Sequence, residues 1–304
     1  MPITVKDLLE AGCHFGHQTK RWNPKMKEYV YGNKSGISII DLTKTIHQLS
    51  DACNFMQRQV LNGAKILFVG TKRQAQQVVR EAAEKVEMFY MSERWMGGTL
   101  TNIETIKKSI AKMRDIDSIL ADEENSNLKK KELVRLSRTG AKLHRDLDGI
   151  ANMRRLPDVV VVIDVCHDEN AIKEAQKLHI PIVAIVDTNG NPENIDYPIA
   201  ANDDAVKSIK IIMDTLVTAS ADALELYKAK VADSRKEEKR KADEAKSADK
   251  DNKDSKPQGR RPARKAEGVN GDRKSAPRRK APTAKTVNSL SELKKSDIAP
   301  QENA

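Results

Sequence analysis

The sequence predicts an α/β protein, in which a parallel sheet is covered by helices on both faces. Two observations favour this class: apolar runs of strand length occur without polar alternation, and they alternate with segments whose apolar residues recur every three or four positions. A third observation limits the folded part of the 304-residue chain. After Tyr227 there is no aromatic residue and few large apolar ones, so we expect the folded domain to cover residues 1–232.

The elements of this domain follow from caps, breakers and periodicity. A capping-box pattern from Thr4 to Asp7 begins a short helix, which ends at Gly12. Strands are predicted at Ile37–Ile40, Lys65–Val69, Val159–Ile163 and Ile182–Val186. Helices are predicted from a cap at Asp41 or Thr43 to Asn62-Gly63, over Lys72–Glu87, from Asp164 through Leu178, and after a cap at Asn202.

Two further helical stretches interrupt this alternation. Their apolar residues step by three, four or seven positions, as at a helix–helix seam: Ile103, Ile106, Ile110, Met113, Ile116 and Leu120, then Leu133, Leu136, Leu143, Leu147 and Ile150. The polar stretch 121–127 separates them. We predict an inserted antiparallel helical hairpin at about 102–150, which would offer a surface for a partner protein or for RNA. Each seam is only about three heptads long, and the alternative is that both helices pack flat on the core.

Most of the formal net charge of +10 comes from the C-terminal part of the chain. We predict that residues 233–304 form a disordered basic tail, although 233–250 is rich in Lys, Glu and Ala and could instead extend the last helix. Lys256 to Lys285 contains 11 basic and two acidic residues. Such a string suits polyanions, and its candidate RNA contacts are Arg260, Arg261, Arg264, Arg278 and Arg279. The alternative is a solubilising tail without a fixed partner.

Composition and cysteine usage exclude several classes of protein. No apolar run of about 18 residues is present to span a bilayer, and charged residues near the start argue against a secretory leader. The three cysteines, Cys13, Cys53 and Cys166, are too far apart to make a disulfide framework, which fits a reduced compartment. We therefore expect a basic cytoplasmic protein that does not contact a membrane.

Catalytic chemistry has little support. Phosphate-loop, nucleophile-elbow and HExxH patterns are absent. Asp164 and Asp187 end strands where α/β enzymes place reactive groups, but helix caps and turns explain them better. Possible metal ligands occur in two places: Cys13, His14 and His17, and Cys166 with His167. Their spacing is not that of a structural zinc site, so packing is the favoured interpretation. We predict no enzyme activity, no catalytic residue, no cofactor, no metal and no small-molecule substrate.

Two loops combine cations with aromatic rings. The first runs from Gly12 to Lys27 and the second from Glu93 to Asn102. Cations fix phosphates, whereas aromatic rings stack on unpaired bases. The candidate RNA contacts in these loops are Lys20, Arg21, Lys25, Lys27 and Arg94. Trp22 and Trp95 could stack on bases, and the alternative is that they anchor the loops to the domain.

The same loops carry a resemblance to a known family. The chain resembles bacterial small-subunit ribosomal protein two in five ordered blocks between residues 3 and 228: Ala11–Met26, Gly36–Thr45, Arg94–Asn102, Leu156–Asp158 with the valine run after it, and Ile180–Ala205. The resemblance implies a Rossmann-like domain with an inserted helical hairpin. Members of the family can show a metal. Residues 233–304 lie beyond the resemblance.

The resemblance also implies a function. It indicates a non-enzymatic, ribosome-associated protein that supports translation. Such a protein binds the ribosomal RNA of the small subunit and other small-subunit ribosomal proteins at the head–body junction, and it helps to dock ribosomal protein one. On the residues alone, two other classes compete. An α/β enzyme acting on nucleotides or sugar phosphates would need a phosphate loop or an acid–base pair. A protein–protein scaffold would leave the basic loops and tail unexplained.

Overall fold

The computed structural model describes residues 3–121 and 128–254. Its helices are α1 (Val5–Glu10), α2 (Leu42–Leu61), α3 (Gln76–Lys85), α4 (Ile103–Ala121), α5 (Lys130–Leu147), α6 (Glu169–Lys177) and α7 (Val206–Asp254). Its strands are β1 (Phe15–Gln18), β2 (Val30–Lys34), β3 (Ile37–Ile40), β4 (Ile66–Val69), β5 (Phe89–Met91), β6 (Val159–Val162), β7 (Ile182–Val186) and β8 (Tyr197–Ala200). Residues 1–248 form one compact unit. Of the second unit, 249–304, only the end of α7 is described.

A five-stranded parallel sheet forms the centre of the first unit, in the order β5-β4-β6-β7-β8. Every residue of β4, β6 and β7 is buried, because helices cover both faces. The α/β class predicted from the apolar runs is therefore confirmed. The edge strands β5 and β8 each have two residues that are only partly buried, and neither is a continuous aliphatic run like β6, so the sequence does not mark them as strands.

The first predicted strand, Ile37–Ile40, does not belong to this sheet. It is β3, the central strand of a separate antiparallel sheet with the order β1-β3-β2. Ser38 and Ile40 are buried while Ile37 is exposed, the alternation expected of a sheet with only one face on the core. The first basic loop therefore contains a strand, β1, which pairs with β3.

The parallel sheet separates two hydrophobic clusters. On one side, Ile66 and Phe68 of β4 pack with residues of α2, α3 and α7. On the other side, Leu67 and Val69 of the same strand pack with residues of α4, α5 and α6. The side chains of one strand thus alternate between the clusters, as the period of two residues requires. Because both clusters are apolar, the buried strands have no polar positions.

Helices α4 and α5 pack on each other and, near the sheet, on the core. The second cluster includes four of their residues: Ile106, Ile110, Met113 and Leu147. Farther from the sheet, Asp117 Oδ1 lies 2.8 Å from His144 Nε2. Near the sheet, both helices therefore pack on the core, which was the alternative to a projecting hairpin. The segment 122–127, predicted as the turn between the helices, lies outside the described residues.

Helix α7 continues past the domain boundary predicted at residue 232. Ile209, Ile212 and Leu216 hold its first part in the core, and its backbone is helical through Asp254. Up to Asp254 the chain therefore extends the last helix, as the alternative interpretation expected. Lys, Glu and Ala favour helices, and the packed first part of α7 already provides the nucleus from which the helix continues. Residues 255–304 lie outside the described part. None of the described helices has an apolar stretch long enough to cross a membrane.

Candidate nucleic-acid interface

The first basic segment, residues 12–27, is fixed to the carboxyl end of β7. After β1 it forms two 3-10 helices, Thr19–Arg21 and Pro24–Tyr29. Asn23 caps the second, since its Oδ1 accepts a hydrogen bond from the Lys25 backbone nitrogen. The Asn23 backbone nitrogen donates to the Thr188 carbonyl at 2.8 Å. Met26 is fully buried in the second hydrophobic cluster. The conformation of this segment is therefore set by the core beneath it.

The cations of this segment lie outward. Lys20 and Arg21 on the first 3-10 helix and Lys27 on the second are exposed, and none forms a salt bridge with a described residue. Lys25 is also exposed but pairs with the carboxylate of Glu193. Lys20 and Lys27 can therefore meet a phosphate without losing a protein partner, whereas Arg21 is also attracted to the carboxylate of Asp204. Trp22, next to Arg21, is 37% exposed, which leaves part of its ring available for stacking.

The second basic segment, residues 93–102, surrounds one carboxylate. Glu174 of α6 accepts hydrogen bonds from the Trp95 indole nitrogen at 3.0 Å and from the backbone nitrogens of Gly98, Leu100 and Thr101 at 2.7, 3.0 and 3.1 Å. Burial alone would raise the pKa of Glu174, but these hydrogen bonds hold it below its usual value. The loop is thus organised around a partly buried negative charge.

This arrangement decides the role of Trp95. Its side chain is 9% exposed and bonded to Glu174, so it anchors the loop and is not available to stack on a base. Arg94 beside it is exposed and forms no salt bridge with a described residue. Arg94 is therefore the group through which the second segment can reach a phosphate.

One ammonium group meets three carboxylates at the carboxyl edge of the parallel sheet. Lys72 Nζ lies 3.1 Å from Asp164, 2.7 Å from Asp203 and 2.6 Å from Asp204. Burial alone would lower the pKa of Lys72, but its hydrogen bonds to Asp203 and Asp204 raise it, so the group stays charged. Burial, together with the carboxylates of Asp164 and Asp187, raises the pKa of Asp203 to about 7.

The two strand-ending aspartates also shape their own turns. Asp164 Oδ1 accepts hydrogen bonds from the backbone nitrogens of Cys166 and His167 at 2.8 and 2.9 Å. Asp187 Oδ1 accepts one from the backbone nitrogen of Thr188. The interpretation of both residues as cap and turn formers is confirmed. Asp164 also pairs with Lys72 and Asp187 with His17, so both belong to ion pairs rather than to a nucleophile–base pair.

His17 reaches the same edge from β1. Its Nδ1 lies 3.0 Å from Asp187 and its Nε2 3.5 Å from Asp204, and the contact with Asp187 raises the pKa of His17. Within the described ranges, His17, Asp187 and Asp203 are the group whose ligand atoms, all within 4.8 Å of one another, could hold a divalent cation. The ammonium of Lys72 already supplies a positive charge beside Asp203, so the acidic groups have a cation from the protein itself.

The cysteines do not take part in this group. Burial raises the pKa of the Cys13 thiol, and it raises the pKa of Cys166 to about 11. Cys13 is fully buried, and Cys166 Sγ lies 3.6 Å from the Asn189 carbonyl oxygen. The ring of His14 packs on Phe15, with centroids 4.0 Å apart. Packing therefore explains the presence of Cys13 and His14. His17 instead contacts the aspartates at the carboxyl edge of the parallel sheet, which we call the acidic edge.

The structure thus places the predicted contacts on two separate segments. Four lie on the first basic segment, and Arg94 lies on the second. The remaining candidates lie outside the described residues and stay predictions: Arg260, Arg261, Arg264, Arg278 and Arg279. No local sequence pattern marks Lys72 or Glu174, because Asp203 and Trp95 lie 131 and 79 residues away from them.

Comparison with known proteins shows the family to which the chain belongs. Residues 8–223, which include both basic segments and the acidic edge, match the family model of ribosomal protein S2. The chain is 47% identical over 224 residues to small ribosomal subunit protein uS2 of Koribacter versatilis, and the match covers 74% of each chain. It is 46% identical to the protein of the same name from Acidobacterium capsulatum over 224 residues, again 74% of each chain. With that of Treponema pallidum subsp. pallidum it shares 46% identity over 221 residues, 73% of this chain and 76% of the other. The chain therefore belongs to the ribosomal protein S2 family, whose members are structural components and not enzymes.

Proposed function

We propose that this ribosomal protein binds the ribosomal RNA of the small subunit through the outward cations of its two basic segments. It does so as a structural part of the translating ribosome in the cytoplasm, at the junction of head and body. One observation carries the proposal: both segments are held by buried residues while their cations are exposed and largely unpaired. Groups held in place lose less conformational freedom when a ligand binds, so such loops suit a permanent RNA contact.

The two segments supply different kinds of contact. Arg21 and Arg94 carry guanidinium groups, which bind phosphate oxygens in pairs, whereas Lys20 and Lys27 act as point charges. Trp22 adds a partly exposed ring that can stack on an unpaired base. The tail, with its 11 basic residues between Lys256 and Lys285, adds further phosphate contacts without base recognition.

The small antiparallel sheet offers a surface for a neighbouring protein. Phe15 is 48% exposed and Tyr31 is 82% exposed, and Ile37 is exposed beside them on the same three strands. Clustered apolar side chains of this kind favour protein contact. We assign the occupant as ribosomal protein one on the family resemblance. Replacing Phe15 and Tyr31 by Ser should then lower the content of that protein in purified small subunits without lowering the content of the variant itself.

The RNA contact is tested by changing cations in the full-length protein. The variant Lys20→Gln/Arg21→Gln/Arg94→Gln is compared with the parent for binding to purified small-subunit RNA at several salt concentrations. We expect weaker binding, and a slope of log K against log salt that is shallower by about 2 to 3, because each lost phosphate contact contributes about 0.7 to 0.9.

A matched control removes three exposed cations elsewhere, as Lys177→Gln/Lys207→Gln/Lys210→Gln. This control should bind RNA nearly as well as the parent. Equal losses in the two variants would contradict the proposal, since total charge and not position would then govern binding. Failure of the tagged parent protein to sediment with small ribosomal subunits from a lysate would contradict the ribosomal role itself.

A further inference from the structure

A row of cations runs along one side of α5. Lys131, Arg135, Arg138 and Lys142 follow one another at steps of four, three and four residues, and all are exposed. In a helix with 3.6 residues per turn these positions lie within about 60° of one another around the axis and extend over roughly 16 Å. We call this set the α5 row. It is distinct from both basic segments.

The α5 row lies on the side of the helix opposite its apolar seam. The seam is formed by Leu133, Leu136, Gly140, Leu143 and Leu147. Gly140 marks the contact with α4, because a Cβ atom there would lie 3.0 Å from Ile116 Cγ2. Leu147 is buried in the core. Packing against α4 and the core therefore fixes the direction in which the α5 row projects, away from the rest of the first unit.

No protein carboxylate neutralises the α5 row within the described residues. Several other cations have partners, such as Lys85 with Asp214 and Lys228 with Glu87. The acids of α5 are engaged elsewhere: Glu132 accepts a hydrogen bond from the Lys129 backbone nitrogen, and Asp146 pairs with Arg145. Like charges three and four positions apart on a helix repel one another. Repulsion among these four cations therefore destabilises the helix locally, and a bound anionic ligand would relieve that repulsion.

The surroundings of the α5 row fit a phosphate backbone better than a protein. A shallow, open groove on the surface of α5 is lined by the four cations of the row together with Lys130, Val134 and Thr139. The groove contains no aromatic residue, and Val134 is its one large apolar side chain. Protein interfaces are depleted of Lys at their centres and rely on aromatic anchors. A nucleic-acid backbone needs neither an apolar anchor nor a stacking ring.

We propose that the α5 row binds the sugar–phosphate backbone of ribosomal RNA, as a second RNA site separate from the two basic segments. This inference rests on the proposed function, which supplies the RNA. With cations but no ring, the α5 row recognises charge and the course of the backbone, not base sequence. Its two arginines can each hold a phosphate through paired N–H donors, and its lysines flank them as point charges.

The test is the full-length variant Arg135→Gln/Arg138→Gln/Lys142→Gln, with Lys177→Gln/Lys207→Gln/Lys210→Gln as the control of equal charge. Glutamine is a good helix former, so the melting temperature should not change. The salt dependence of binding to small-subunit RNA should become shallower by about 2 to 3 in the α5 variant and change little in the control. If the parent binds RNA and the α5 variant has an unchanged slope, this inference fails while the proposed function stands. If the parent does not bind RNA, both fail.

A second measurement separates RNA from an acidic protein as the ligand. A photo-crosslinking amino acid replaces Val134, which is 47% exposed within the groove, and small subunits that contain this protein are irradiated. The expected product loses its added mass on treatment with ribonuclease. A product that resists ribonuclease and is lost on treatment with protease would identify a protein on the α5 row and overturn the inference.

Discussion

The indole nitrogen of Trp95 donates a hydrogen bond to Glu174 Oε1 at 3.0 Å, and the same carboxylate accepts the backbone N–H groups of Gly98, Leu100 and Thr101. A loop that carries a predicted RNA contact is thus folded around a protein anion before any RNA arrives. The carboxylate fills a nest of N–H donors of the kind that binds phosphates elsewhere. Arg94 is therefore left as the outward group of this segment.

Glu174→Gln should destabilise the protein by about 2 kcal/mol, because a carboxylate that accepts several hydrogen bonds becomes a neutral amide with one acceptor oxygen. The measurement is the free energy of unfolding in urea. The matched control is Glu169→Gln on the same helix, which removes an exposed pair with Lys173 and should cost no more than about 0.5 kcal/mol. A loss in Glu174→Gln no larger than in the control would contradict this account.

The same carboxylate predicts a direction of pH dependence. The pKa of Glu174 is lowered in the folded protein, so its contribution to stability is present above the unfolded value of about 4.3 and is lost as pH falls through the folded value. Below about pH 4 the difference in unfolding free energy between the parent and Glu174→Gln should therefore shrink. A difference that stays constant between pH 7 and pH 3 would show that the charge is not responsible.

Lys72→Met should cost about 3 kcal/mol of unfolding free energy, because it leaves Asp164 and Asp203 buried without their cation. Asp203→Asn in the same background should restore part of the loss by removing one of the repelling charges. The control is Lys85→Met, which breaks the exposed pair with Asp214 and should cost less than about 1 kcal/mol. Equal effects at Lys72 and Lys85 in urea unfolding would refute the prediction.

A short and a long deletion in α4 and α5 should affect cooperative unfolding in opposite ways. Deletion of residues 117–139, with a short glycine linker from Ile116 to Gly140, removes only the parts far from the sheet, and one cooperative unfolding transition should remain. Deletion of 104–148 also removes Ile106, Ile110, Met113 and Leu147 from the second cluster. Each such loss costs about 2 to 5 kcal/mol, which together exceeds the stability of an ordinary domain. Calorimetry should then show no cooperative transition; a transition in both deletions would mean that these helices are dispensable to the core.

Removal of residues 255–304 should flatten the salt dependence of RNA binding, because 11 cations between Lys256 and Lys285 are lost. Removal of 286–304 alone deletes two lysines and three acids, so this shorter truncation should leave the slope unchanged. The comparison uses small-subunit RNA at several salt concentrations. A slope that is the same in all three proteins would support the solubilising-tail alternative.

The central sheet could be predicted because β6 and β7 are continuous apolar runs. Such runs between helices are typical of parallel strands that are buried on both faces. The sheet to which β3 belongs could not be predicted. Its partners β1 and β2 read Phe-Gly-His-Gln and Val-Tyr-Gly-Asn-Lys, which are short and polar enough to resemble loops. Whether such a segment forms a strand depends on its neighbours in space, which cannot be read from the length or hydrophobicity of the segment itself.

The candidate site divides in the same way. The exposure of Lys20, Arg21 and Arg94 follows from residue type, and the structure agrees. The role of Trp95 could not be chosen, because the deciding partner, Glu174, lies 79 residues later. The His17 contact with Asp187 likewise joins distant parts of the chain. Local composition predicts which side chains face outward, whereas their partners depend on the completed fold.

The hydrogen bond from Asn23 to Thr188 also has a consequence for the order in which the first basic segment becomes fixed during synthesis. The chain emerges from its N terminus, so residues 12–27 are made early, yet β7 and Thr188, on which they dock, are made 165 residues after Asn23. In a nascent chain shorter than this, β1 can already pair with β3, but the part of the segment around Asn23 lacks the Thr188 carbonyl that holds it. If the first basic segment binds RNA as we propose, an incomplete chain should bind it less well than a chain whose parallel sheet has formed.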